Sequence, residues 1–182
     1  ISPMSVIGSQ GFVVYGGIIS GIATVYVYCK IKKKNFFEYI DVIAAAVAIN
    51  QAFGRIGCFL AGCCYGRETD SWVGVVFPQG CMAPAGVKLI PTQLFSAAFD
   101  IGMFVVLCIL INSRKYIKGI PTSVYLIGYA VGRAIIECFR SDERGSVGML
   151  STSQFISIFI CIAGIILLCF ILNNNKKRMN ND

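Results

Sequence analysis

The sequence contains no histidine. That absence removes every mechanism built on imidazole, whether a Ser-His-Asp triad, a Cys-His pair or a zinc ion held by histidine. Charge is scarce as well. Asp, Glu, Lys and Arg make up 14% of the 182 residues, against about a quarter in ordinary soluble domains. Apolar residues reach 56% and mean hydropathy is +0.72. This balance argues against a soluble globular domain, a disordered tail or a nucleic-acid-binding arm, and for a membrane protein. The first apolar run has no basic segment before it and no cleavage site, so it does not read as a signal peptide. No internal repeat is visible, which counts against a transporter. The chain opens at Ile1 rather than Met, which predicts that N-terminal sequence is missing.

What is present is placed with regularity. The net charge is +7, and most of the cations fall in three clusters: Lys30, Lys32, Lys33 and Lys34; Arg114, Lys115 and Lys118; Lys176, Lys177 and Arg178. Each abuts an apolar stretch long enough to span a bilayer, at about 20 residues. Five such stretches occur, roughly 10–29, 40–61, 94–112, 120–139 and 152–172. Basic connections alternate with neutral ones. By the positive-inside rule the N-terminus is then outside, the C-terminus is cytoplasmic, and loops 62–93 and 140–151 face outward. The predicted fold is all-α: a polytopic transmembrane helix bundle forming a single integral membrane domain over 1–182. The extracytoplasmic loop 62–93 is expected to be partly structured, with a strand-like run from Trp72 to Phe77. Glycine pairs four apart, Gly17/Gly21, Gly62/Gly66 and Gly128/Gly132, are read as helix-packing positions.

Charged residues inside the spans carry the functional signal, because ions in lipid are costly and face a partner or a cavity. Counting 1.5 Å per residue puts Arg55, Asp100 and Arg133 each about 9 Å below the outer boundary, with Tyr15 about 8 Å down. Glu137 lies four residues after Arg133 and can pair with it. Arg133, Glu137 and Arg140 share one helix face. One reading is a set of ion pairs that fix helix packing. The other is a cavity for an anionic lipid headgroup, with arginines forking onto phosphate oxygens. An anion channel would carry polar residues through the whole membrane, and these cluster in its outer half.

Five of the nine cysteines sit in or beside apolar runs and read as small hydrophobes. Cys58, Cys63, Cys64 and Cys81 form a separate group whose spacing is not a standard zinc pattern. Packing is the main reading there, an outer-face disulfide the next, and no metal or cofactor is expected.

The run Gly54-Arg55-Ile56-Gly57-Cys58 through Gly62-Cys63-Cys64-Tyr65-Gly66-Arg67 resembles the signature of the prolipoprotein diacylglyceryl transferase family. Trp72 to Pro78, Pro91-Thr92-Gln93-Leu94, and Gly128-Tyr129-Ala130 through Arg133, Glu137 and Arg140 follow in the same order, and Tyr15-Gly16-Gly17 resembles the family's glycine pair. The resemblance covers about residues 10 to 172. It implies a bacterial inner-membrane enzyme of seven spans, of which five are present here. That enzyme moves the diacylglyceryl group of phosphatidylglycerol onto the lipobox cysteine of a prolipoprotein signal peptide. By this resemblance Arg55, Arg133, Glu137 and Tyr15 are the catalytic candidates. Arg55, Gly57, Gly66, Gln93, Arg133 and Arg140 are the candidates for the phosphatidylglycerol headgroup, and Gln154 could add a hydrogen bond. The partners implied are membrane lipids and a preprotein, not nucleic acid. The family often has histidine where Tyr15 and Ile90 stand, asparagine at Cys58, and acidic residues at Cys63 and Ser96. A non-catalytic protein of the same fold that binds anionic phospholipid is the alternative.

Overall fold

A computed structural model describes residues 10–139, 146–147 and 150–180. Its elements run α1 (Gln10–Ile31), α2 (Phe36–Leu60), β1 (Val75–Val76), β2 (Lys88–Leu89), α3 (Thr92–Ile111), α4 (Ile120–Glu137), β3 (Ser146–Val147), β4 (Leu150–Ser151) and α5 (Thr152–Met179). Every predicted span is a helix. The 20 residues of α3 give a length of about 30 Å, the thickness of a bilayer core. Helices α2 and α3 and the Gln154–Lys177 part of α5 are long and apolar enough to cross a membrane. Gly16–Ile31 is a shorter apolar helix. Helix α4, which carries Arg133 and Glu137, is not among them. Ile109, Ile166 and Phe170 stand exposed on helix surfaces, which suits lipid as the surrounding solvent. The fold is a helical membrane bundle.

The chain divides into two compact units, Ile1–Ile40 and Asp41–Asp182. In the first, a short link joins α1 to the start of α2. The Asn35 side chain accepts a hydrogen bond from the Phe37 N–H at 3.0 Å, which satisfies one of the orphan donors of the helix start. The Tyr26 and Phe36 rings meet edge-on at 5.7 Å, and the Lys30 ammonium lies 5.5 Å from the Tyr26 ring centre.

The second unit is built on small residues. Ala44, Ala48 and Ala52 repeat every four positions along α2, with Ala45 beside them, and all are buried. Small side chains let helix backbones approach closely where no water drives them together. Ala45 and Ala48 pack on Leu107 of α3, with Val124 and Tyr125 of α4 closing the cluster. Helix α4 packs on both α3 and α5. Its glycines explain the closeness: a Cβ at Gly132 would lie 2.4 Å from the Phe99 ring, and one at Gly128 2.1 Å from the Met103 methyl. The Gly128/Gly132 spacing is therefore a packing device, as predicted. The Gly62/Gly66 spacing is not. Helix α2 ends at Leu60, so that pair lies in a loop rather than on a helix face.

Asp41 locks one end of this unit. It is fully buried and accepts hydrogen bonds from Tyr116 Oη at 2.7 Å, the Gly119 N–H at 2.6 Å and the Thr122 N–H at 2.9 Å, and from Thr122 Oγ1. The carboxylate of α2 thus caps the start of α4, where the helix dipole also favours negative charge.

At the other end lies the loop 62–93. Strands β1 and β2 pair antiparallel, Val75 with Leu89 and Val76 with Lys88, a shorter version of the predicted strand-like run. Glu68 bridges Leu89. Phe77, Ala83 and Leu89 bury themselves against Phe59 and Tyr65, so the loop sits on the end of α2 as a packed element.

Candidate functional site

Three helices of the second unit place polar side chains around one cavity. Arg55 comes from α2; Ser96, Phe99 and Asp100 from α3; Tyr129, Gly132, Arg133 and Ile136 from α4. The spacings 96/99/100 and 129/132/133/136 each mark one helix face. The cavity measures about 20 Å³, room for one or two water-sized groups. Gly132 belongs to its wall because the Phe99 ring occupies the space a side chain would need.

Charge is concentrated here. Arg133 Nη2 lies 3.0 Å from Glu137 Oε2, with the two side chains only 11% and 9% exposed. Asp100 is 8% exposed and feels the charge of Arg55. Two guanidinium groups and two carboxylates are thus held where water is scarce. A buried ion pair repays its desolvation poorly, so it is weak as a stabilising device. Guanidinium groups held in such a place can instead meet charge that develops during a reaction. The predicted convergence of Arg55, Asp100 and Arg133 is observed, as is the pairing of Arg133 with Glu137.

The other predicted positions lie elsewhere. Gln93 is 1% exposed and donates from Nε2 to the Cys63 carbonyl at 2.7 Å; it does not line the cavity. Gly57 on α2 does not line it either, and a Cβ there would meet nothing within 4 Å. Gly66 sits in a seam, where a Cβ would come within 2.8 Å of the Phe139 carbonyl and of the Thr92 methyl. Its N–H donates to the Ile90 carbonyl at 2.9 Å. Gln154 opens the membrane-crossing part of α5. Tyr15 lies on α1, in the other unit, and its side chain falls outside the described residues, as does the whole of Arg140.

Ser96 and Tyr129 line the cavity although the sequence reading gave them no role in it. The signal for Tyr129 was available, since it precedes Arg133 by four residues and so shares its face. Tyr129 also stacks on Tyr125 at 6.0 Å, and Tyr125 Oη donates to Gln51 Oε1 at 2.8 Å. Arg67, from the loop, donates to the Cys138 carbonyl at 2.8 Å, closing the end of α4.

A second, larger cavity adjoins the first and shares Ile136 with it. It measures about 420 Å³ and is almost wholly apolar, lined by Val73, Ile90, Phe95, Ile135 and Phe139 among others. A charged cavity thus lies beside an apolar one, at the loop-bearing end of this unit.

The family model described as prolipoprotein diacylglyceryl transferase matches residues 2–170, and the chain belongs to that family. It is 52% identical over 170 residues to phosphatidylglycerol–prolipoprotein diacylglyceryl transferase 2 of Clostridium perfringens, covering 93% of this chain and 65% of the relative. The transferase of Clostridium tetani is 48% identical, covering 93% and 66%. That of Clostridioides difficile is 34% identical, covering 94% and 66%. The chain thus spans just under two thirds of the length of these relatives.

Proposed function

We propose that the protein transfers the diacylglyceryl group of phosphatidylglycerol to the lipobox cysteine thiol of a prolipoprotein. The observation that carries this reading is the joint placement of Arg55 and Arg133 in one cavity, in a chain of the transferase family. In the reaction a cysteine thiolate attacks the terminal glyceryl carbon, a C–S bond forms, and the C–O bond to phosphate breaks. Glycerol phosphate departs with the electron pair. Two guanidinium groups stabilise the charge that gathers on the phosphate oxygens. Glu137 holds Arg133 in position through the 3.0 Å contact. The apolar cavity sharing Ile136 accepts part of the lipid's acyl body. In this reading the protein is a multi-pass protein of the bacterial cytoplasmic membrane, with its N-terminus outside and its C-terminus in the cytoplasm. Residues 1–182 form one membrane domain and 62–93 its outward loop.

The test is reconstitution of the intact protein with phosphatidylglycerol and a lipobox peptide, followed by mass spectrometry of the peptide. A diacylglyceryl-thioether product that disappears in Arg55→Ala and Arg133→Ala supports the reading. Full transfer by either variant overturns the roles given to the arginines. Lipid binding without any thioether in the unaltered protein overturns the activity itself.

A further inference from the structure

The loop that follows α2 gathers three thiols. Its geometry starts from the way the helix ends. Gly62 is left-handed at φ +66°. Its N–H donates to the Phe59 carbonyl at 3.1 Å, and the Cys63 N–H donates to the Cys58 carbonyl at 3.1 Å. This is the Schellman arrangement, which folds the residue after the glycine back over the helix position five before it. Here that pair is Cys63 and Cys58. Cys64 also takes a left-handed backbone, φ +63°, uncommon for a residue with a side chain. Two side chains of α3 hold the turn in place: Thr92 Oγ1 donates to the Cys64 carbonyl at 2.9 Å and Gln93 Nε2 to the Cys63 carbonyl at 2.7 Å. The Oε1 of the buried Gln93 has no partner.

The result is a compact trithiol. The sulfur atoms of Cys58, Cys63 and Cys64 all lie within 4.8 Å of one another. All three are partly exposed. We propose that Cys58, Cys63 and Cys64 form a binding site for one soft or borderline cation of the zinc class, held by three thiolates.

Distances fit this assignment. A zinc–sulfur bond of about 2.3 Å sets tetrahedral sulfurs about 3.8 Å apart, close to the spacing of at most 4.8 Å found here. The donor set fits too. Sulfur without any carboxylate disfavours magnesium and calcium and selects zinc-like ions. Binding the ion as thiolates releases the thiol protons into solvent. Cys81 flanks the cluster without joining it; its Sγ would lie 3.4 Å from a Cβ on Gly62. The fourth corner is left to solvent. The consequence for the fold is a clamp. The ion ties the end of α2 to the loop packed upon it, independently of whether the protein transfers lipid.

The experiment uses the intact protein, reduced and stripped of metal in detergent. Co²⁺ is titrated in and followed by its thiolate charge-transfer and tetrahedral absorption, then displaced with Zn²⁺. One ion per chain is expected, with affinity falling at least tenfold in each of Cys58→Ser, Cys63→Ser and Cys64→Ser and unchanged in Cys138→Ser. In parallel, Zn²⁺ should shield Cys58, Cys63 and Cys64 from maleimide in the unaltered protein, with peptide mapping identifying the shielded thiols. That measurement needs no variant to fold. Absence of stoichiometric Co²⁺ or Zn²⁺ uptake, uptake that persists when all three are serine, or shielding of other cysteines instead would overturn the site.

Discussion

Asp41 and Asp100 are both buried carboxylates in the Asp41–Asp182 unit, and their surroundings differ in kind. Asp41 is surrounded by neutral donors: a tyrosine hydroxyl, two backbone N–H groups and a threonine hydroxyl. It joins the start of α2 to the start of α4. Asp100 instead shares a cavity with two arginines. The first arrangement spends a charge on architecture, since neutral donors at a helix start satisfy it completely. The second gathers charges of both signs around open space, a poor way to stabilise a fold and a good way to meet an incoming anion. Burial of charge therefore does not by itself mark a site. What surrounds the charge does.

The comparison can be broken by substitution. Removing either cavity guanidinium, in Arg55→Ala or Arg133→Ala, should lower transfer by about 10²–10³-fold, the usual effect of losing one donor to developing charge. Helix content by circular dichroism should not change. If transfer survives, the cavity is architecture as well. Asp41→Ala should do the reverse. It leaves buried donors unpartnered and should cost about 3 kcal/mol in detergent unfolding, while transfer per folded molecule stays intact. An equal loss of transfer per folded molecule would erase the distinction.

Two smaller effects sharpen it. Gly132→Ala forces a methyl against the Phe99 ring, 2.4 Å away, and should cost about 1–3 kcal/mol as overpacking while narrowing the cavity. Gly128→Ala meets the flexible end of Met103 instead and should cost about 1 kcal/mol or less; parity between the two would mean that the ring is free to move. Glu137→Gln keeps an oxygen for Arg133 but loses the charge, and a roughly tenfold fall in transfer is expected, as for a partner that orients a first ligand. No change in rate would leave Glu137 as a packing residue.

Much of this was legible in the residues. Apolar length located all five helices, four of them to within about four positions at both ends, because a bilayer imposes a similar length on every span; the last helix runs on to Met179, past the expected end at 172. Helical rise and the rule against unpartnered charge in lipid brought Arg55, Asp100 and Arg133 together before any coordinates. The i, i+4 spacing paired Arg133 with Glu137. Asp41 escaped because it stands where span and loop meet, so nothing in its local sequence marks it as buried. Its donors come from Tyr116, Gly119 and Thr122, at least 75 positions away. Gly62 was misassigned for a related reason. A glycine four residues from another reads as a packing pair, and only the end of α2 at Leu60 shows that Gly62 terminates the helix.

The absence of histidine, the spans and the membrane class follow from the sequence alone, because composition and periodicity suffice for them. Order of motifs, read the same way, gave the family. Tertiary structure decided the rest. It decided that Gln93 braces a loop instead of lining the charged cavity, that Tyr129 and Ser96 do line it, and that an apolar chamber lies next door. It also decided that Cys58, Cys63 and Cys64, unremarkable by spacing, become one cluster. The physical reason is common to all of these. Each depends on which residues, distant in the chain, packing brings against one another, and neither composition nor periodicity encodes that.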